Sequence, residues 1–463
     1  MRRESESRDV TNSVLSPWTA EDIDTRGDTR EKIRSIGFKC ALAVVFLRFS
    51  ALPEIIASIT GVDTYILYLF GPFALLAAFF SGGLRRTFRE KPAKFWLWLL
   101  VWMILGVPFS SWKGGSFSNV TAYIKADFLM LLVTAGLARK WTDCRKIIYT
   151  VAAAAVFNMA TAYLSQTSGE RLAFRWTSTL GNSNDFAAHM LLVLPFLAFI
   201  MLKAGTGVLL RLTSAAAVAF GLFQILRTAS RGALIALVLT TIFLFVRGSI
   251  RQKTAVVAAG VVALIFMTVF LPPATWQRLT SFSKSNDASE EALESSEIRE
   301  YLLKQSILYT LQNPIFGVGM GQFSSYEGKS MTSQGLRASW HETHNSYTEI
   351  SSECGIPALG FYLAAAVSTF GLVAKIRKKA HGPYGNEIAT AAYCITIGLF
   401  AYSTALLFVN FGYRYEFRAI SGLAVAMWFA VCNEPPQTNS DSMLSGQTPD
   451  GTQMESIASM SGD

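Results

Sequence analysis

Residues 184–203 read NDFAAHMLLVLPFLAFIMLK, an apolar run broken by one histidine and closed by Lys203. About 20 apolar residues in a helix cross the hydrocarbon core of a bilayer, so this stretch predicts a transmembrane helix. Working outward, runs of similar character fall near 37–58, 62–80, 93–110, 119–138, 146–165, 207–226, 231–247, 254–271, 345–373, 388–409 and 417–432. The expected fold is therefore an all-α polytopic integral membrane protein with about twelve transmembrane helices. Arg48, Pro53 and Glu54 interrupt the first run. Lys125 and Asp127 lie inside another, where they must pair, snorkel or face a wet cavity.

Composition agrees. Of 463 residues, 51% are hydrophobic and 16% charged, whereas soluble domains carry about 25% charge. The five cysteines (Cys40, Cys144, Cys354, Cys394, Cys432) show no CxxC spacing, which argues against a zinc ribbon or a disulfide framework. The net charge of +9 is spread in clusters between apolar runs; nucleic-acid binding would gather it on one soluble face. A transmembrane barrel would show ten-residue alternation instead of long runs.

The runs divide the chain into a polar tail (1–35, without the apolar core of a signal peptide), spans one to nine (36–271), a long loop (272–343), spans ten to twelve (344–432) and a Ser/Gly/Thr-rich tail (433–463) expected to be disordered. Alternate loops hold unequal numbers of Lys and Arg. One set, from Arg85 to Lys379, has 18; the other has seven: Lys113, Arg171, Arg175, Arg227, Arg231, Arg414 and Arg418. The positive-inside rule puts the first set in the cytoplasm, with both tails, and the long loop on the outer, periplasmic side. That loop opens at Pro272-Pro273 and is expected to carry short helices, one amphipathic with Ile298, Tyr301, Leu302, Gln305, Ile307 and Leu308 along its stripe.

Six of the seven outer basic residues are arginine. Arginine's planar fork of donors suits bidentate recognition of phosphate; snorkelling to lipid headgroups is the competing reading. Arg171 and Arg175 precede Gly181-Asn182-Ser183-Asn184-Asp185, a helix start that favours an anion. Arg227 and Arg231 bracket a turn, Arg227-Thr-Ala-Ser230-Arg231-Gly232, and would share a face if that segment were helical. The strongest segment is His341-Glu342-Thr343-His344-Asn345-Ser346 at the start of a span. It holds two of the four histidines, and histidine can take up a proton near neutral pH as a general base must. The two stand three apart, whereas the zinc-protease helix needs four, so no metal is assigned. His189 and His381 read as structural. Asn313-Pro-Ile-Phe-Gly317-Val-Gly319-Met-Gly321 has no preceding strand, so it reads as a tight turn at the membrane surface and not as a dinucleotide site. Arg299 is equally a further anion contact or a solvated charge. Trp276, Tyr301, Tyr326 and Trp340 suit a sugar or an interfacial belt alike.

In order, Arg175 with Gly181-Asn-Ser-Asn, Ser230-Arg231-Gly-Ala-Leu234, Asn313-Pro-x-x-Gly317-x-Gly319, and His344-Asn345 with Gly355 resemble the O-antigen ligase and polymerase superfamily over roughly residues 40–430. Ala358 stands where that family usually has a second glycine. The resemblance implies a metal-independent, cofactor-free membrane glycosyltransferase. Its donor would be a polyprenyl-diphosphate-linked glycan, and its acceptor a hydroxyl on lipid A-core or on another glycan. It further implies that His344 activates the acceptor while Arg175 and Arg231 hold the diphosphate. Arg171, Arg227 and Arg299 would support them, with Asn345 and His341 also at the substrate. Motif position favours His344 over His341 as the base; the residues alone leave both open, and leave ligase and polymerase undivided.

Overall fold

The computed structural model describes residues 20–166, 171–247, 253–254, 290–333, 335 and 340–433, and among them the regular elements are helices, with no strand. Eight are long and apolar enough to cross a membrane. They are α5 (Lys91–Gly106, extended by a short 3-10 turn to Phe109), α6 with α7 (Lys113–Tyr123 and Leu129–Leu137, joined by a π turn), α8 (Trp141–Leu164), α9 (Ser183–Leu202), α10 (Val208–Arg227), α14 (Ser346–Lys379), α15 (Gly385–Ala405) and α16 (Tyr415–Asn433). The first expected span is instead broken into α1 (Ala20–Phe49) and α2 (Leu52–Thr60), which meet at 60°. The α3 (Ile66–Phe80) and α11 (Arg231–Arg247) helices coincide with two further expected runs but are shorter. A short α4 (Gly83–Thr87) links α3 to α5. The run at 254–271, Trp276 and both polar tails lie outside the described residues, apart from the start of α1.

Charges inside the bundle meet charged or polar partners. Arg48 of α1 bridges Asp127 in the π turn at 3.1 Å and lies over the Tyr415 ring at 4.5 Å, while Lys125 points outward. Thus one of the two charges in that run pairs, which accounts for Arg48 as well. Arg418, expected in an outer loop, is instead fully buried in the first turn of α16. It donates to the Tyr123 hydroxyl at 3.1 Å and to the carbonyls of Gly412 and Arg414 at 2.8 and 2.6 Å, with Trp96 beneath its guanidinium. A buried cation costs heavily unless it is hydrogen-bonded, and these partners satisfy it. At the other end of the bundle, Arg86 donates to the carbonyls of Ala135, Gly136 and Ala138, closing the C-terminus of α7 as a cation should.

The glycine-rich segment owes its place to a break in α14. Pro357 has no N–H for the Glu353 carbonyl, and Gly355 adopts φ 85°. The freed groups are taken by the loop: Gly319 N–H donates to Glu353 O and Val318 N–H to Ser352 O, both at 2.8 Å, while Ile356 N–H donates to Pro314 O at 2.8 Å. The Glu353 carboxylate then accepts from the Gly321 and Phe323 amides at 2.7 and 3.0 Å. Together these contacts join α12 (Glu290–Gln312) and α13 (Phe323–Ser333) to α14. The docked face of α12 is Leu302, Ser306 and Tyr309, with Ile298 beside it, while Ile307 and Leu308 face outward and Tyr301 stands at the edge. The expected stripe is therefore rotated. Its cause is polar: Ser306 is buried, Thr310 meets Ser351 at 2.9 Å, and Tyr301 and Tyr309 both donate to the buried Glu327.

A Cβ on Gly355 would sit 2.0 Å from the Ile315 carbonyl oxygen, whereas one on Gly360 would meet nothing within 4 Å. Gly355→Ala is expected to cost about 2–5 kcal/mol from strain and overlap, and Gly360→Ala to be neutral or mildly stabilising. Thermal unfolding of both variants in detergent checks this; equal midpoints would contradict the docking account.

Candidate functional site

The Arg227–Arg231 segment is not one helix. The α10 helix ends at Arg227, Ala229 turns through φ 49°, and α11 begins at Arg231, so the two arginines do not share a helical face. Buried Ser230 caps α11, its hydroxyl accepting the Ala233 N–H at 3.3 Å. Against this turn lies the 171–181 loop: Arg171 Nε donates to the Thr228 carbonyl at 2.9 Å and Leu172 N–H to the Arg227 carbonyl at 3.1 Å. Leu172, Phe174 and Leu180 are buried anchors, and Arg175 stands exposed in the turn between Phe174 and Thr177. Asn182 caps α9, accepting the Asn184 N–H at 2.9 Å. The structure thus sets the loop bearing Arg171 and Arg175 against the turn bearing Arg227 and Arg231.

The His344 segment reaches the same place through the 406–414 loop. Ser346 N–H donates to Leu406 O at 2.9 Å, and its hydroxyl donates to Val409 O at 2.6 Å while accepting Phe411 N–H at 2.8 Å. From that loop Phe408 lies against Gly232, where a Cβ would come within 2.5 Å. Arg414 donates to the Thr179 carbonyl, and Asn410 to Glu342. The chain therefore closes a ring of contacts from the Arg231 turn through Phe408 to Ser346, and from Arg414 back to the loop bearing Arg175.

His344 itself adopts φ 51°, uncommon for a side-chain-bearing residue. It sits just before the N-terminus of α14, where Asn345 accepts the Tyr347 and Thr348 amides at 3.0 and 3.1 Å. The carboxamide oxygen of Asn345 is thereby committed to capping. Half-buried His344 is held below the ordinary imidazole range, lowered to about 4, by burial first and then by the positive charges of Arg299 and His341. Arg299, carried by α12, is therefore within electrostatic reach of His344. A neutral imidazole beside positive charge can accept a proton and invites an anion.

Sequence reading counted Arg414 among the outer arginines without a position for it, and missed Phe408 and also Glu54, which accepts the Thr179 N–H of the Arg175 loop at 2.9 Å. Glu54 had shown only as an interruption of the first span; Phe408 lay inside an apolar run and gave no signal. His189 is fully buried, 3.3 Å from Asn158 and 3.4 Å from Glu416, and His381 contacts the Lys379 carbonyl. Among the described residues no three histidine, cysteine or acidic side chains are arranged to hold a metal ion.

Because the unfolded chain holds a histidine proton below about pH 6.5 and folded His344 does so only near 4, the unfolded state binds more protons between those values. Stability contributed by neutral His344 is thus present above 6.5 and lost as pH falls toward 4. The difference in melting temperature between wild type and His344→Gln is expected to fall steadily across that window; a flat difference would contradict it.

Residues 216–363, about a third of the chain, match the family model described as O-Antigen ligase. The match takes in the Arg231 turn, Arg299, the glycine-rich loop and His344. No curated protein matches the chain. Over this segment, which holds the break in α14 and the histidine before it, the chain is similar to the O-antigen ligase family.

Proposed function

We propose that the protein transfers a glycan from a polyprenyl-diphosphate carrier to a hydroxyl acceptor at the outer face of the bacterial inner membrane, with both termini cytoplasmic. The observation that carries this reading is the ring of contacts itself. A neutral histidine within reach of Arg299 is tied through one loop to the Arg231 turn and to the loop bearing Arg175. An acceptor hydroxyl attacks the anomeric carbon, His344 takes its proton, and the bond to the diphosphate oxygen breaks with its electron pair. Fixed positive charge must meet the anion that leaves; Arg175 and Arg231 supply it, with Arg171, Arg227 and Arg299 in support. Attack opposite the diphosphate inverts the anomeric configuration, and neither metal nor cofactor takes part.

The lowered basicity of His344 suits a resting enzyme. The imidazole stays neutral at pH 7, and a bound diphosphate would offset Arg299 and so strengthen the base. A ligase acting on lipid A-core is the favoured form. A polymerase that extends another lipid-linked glycan would use the same groups, and the acceptor distinguishes them. Transport of the lipid-linked sugar finds less support. A transporter places its binding groups near the midplane, whereas the in-span charges Arg48, Asp127 and Arg418 are spent on one another and on structural partners.

Release of the carrier from an undecaprenyl-diphosphate glycan is to be followed with purified protein, a panel of acceptors and EDTA present. His344→Ala and Arg231→Ala are each expected to lose about 100-fold or more, and EDTA to change nothing. Equal turnover in wild type and variants would overturn the assignment.

A further inference from the structure

The loop that bears Arg175 is gripped at Thr179 from two sides. Glu54, on the bent helix α2, accepts the Thr179 N–H at 2.9 Å, the Thr179 hydroxyl, and the Ser178 hydroxyl at 3.2 Å. Arg414 donates to the Thr179 carbonyl from the opposite side. One residue thus has its amide, its side chain and its carbonyl held by an acid and a base from two distant parts of the chain. Thr177 completes the turn: its N–H and hydroxyl donate to the Phe174 carbonyl at 3.2 and 3.1 Å, and its hydroxyl accepts the Leu180 N–H at 3.2 Å.

We infer that Glu54 and Arg414 are positioning residues that set where Arg175 stands for the donor's diphosphate, with α2 bent out of line to deliver Glu54. The inference rests on the function proposed above. The physical case is one of cost. Arg175 is exposed on a loop next to other arginines, and like charges drive such a loop apart unless it is fixed. Two of its anchors, Phe174 and Leu180, are apolar and hold the loop down without fixing the direction of its backbone. Hydrogen bonds to an ionised acceptor and an ionised donor are the stronger, directional kind. They also explain a carboxylate and a proline in an otherwise apolar opening run: Pro53 starts α2, and Glu54 lies in its first turn, where an acid is favoured.

The test is a double-mutant cycle between Glu54→Ala and Arg175→Ala in the full-length protein. It reads KM for the lipid-linked donor, KM for the acceptor, and binding of farnesyl diphosphate as a short soluble probe. Glu54→Ala is expected to raise the donor KM and weaken farnesyl diphosphate about tenfold, with the acceptor KM unchanged. In the Arg175→Ala background it should add almost nothing, because its effect passes through Arg175. Glu54→Gln keeps an acceptor for the Thr179 amide, should fall between, and serves if the alanine variant does not fold. Hydrogen exchange across residues 171–181 should quicken in Glu54→Ala. Wild-type donor kinetics in Glu54→Ala and Glu54→Gln, or losses that multiply in the double variant, would overturn the inference while leaving the proposed function intact. Farnesyl diphosphate binding untouched by Arg175→Ala would overturn both.

Discussion

A proline with no N–H to give and a glycine at φ 85° open the hydrogen-bond ladder of α14 between Ser352 and Pro357. Buried backbone groups left without partners cost free energy, so something has to fill the gap, and residues 314–319 do so with three main-chain bonds. The docking is what gives the extramembrane helices a fixed relation to the spans. It sets α12 against the first turns of α14, so that Arg299 comes within reach of His344. The Glu353 carboxylate adds a second attachment within the break, on the Gly321 and Phe323 amides. At 34 residues α14 is about 51 Å long by helical rise, well beyond a hydrocarbon core of about 30 Å. The break therefore divides a segment long enough to span from a short segment that begins at Ser346, just after His344.

Around that fixed point the remaining parts are loops, which suits the proposed transfer, since it has to admit a donor and an acceptor. The 171–181 loop, the Arg227–Arg231 turn and the 406–414 loop each hold to the next by backbone bonds and by one side chain: Arg171, Phe408 or Arg414. Those loops carry Arg171, Arg175, Arg227, Arg231 and Arg414, while within the spans Arg48 pairs with Asp127 and Arg418 is held by hydrogen bonds. The cost of unpaired charge in an apolar bundle accounts for the partners that Arg48, Asp127 and Arg418 find within the spans.

The apolar runs made the bundle legible, because hydropathy over 20 residues reports burial in lipid directly. Expected limits such as 184–203 and 388–409 fall close to Ser183–Leu202 and Gly385–Ala405. What the runs concealed depended on tertiary partners. Arg418 reads as a loop residue because nothing local announces Tyr123, Trp96 and the Gly412 carbonyl. The stripe of α12 was misplaced because its docked face includes Ser306 and a tyrosine whose hydroxyl meets Glu327 from another helix. Glu54 was visible as an anomaly in an apolar run, but its partner Thr179 lies 125 residues away. The motif glycines were legible as a pattern without a reason. The reason, a broken ladder filled by a distant loop, exists only in three dimensions.

The central claim is that the 171–181 loop, the Arg231 turn and the segment before α14 form one anion site served by His344. An electron cryo-microscopy structure of the full-length protein with a non-hydrolysable polyprenyl-diphosphate donor tests it most directly. The account predicts diphosphate density between the guanidinium groups of Arg175 and Arg231, with the glycosidic oxygen facing His344. Diphosphate density elsewhere in the bundle, or at the opposite end beside Arg86 and Arg139, would contradict it.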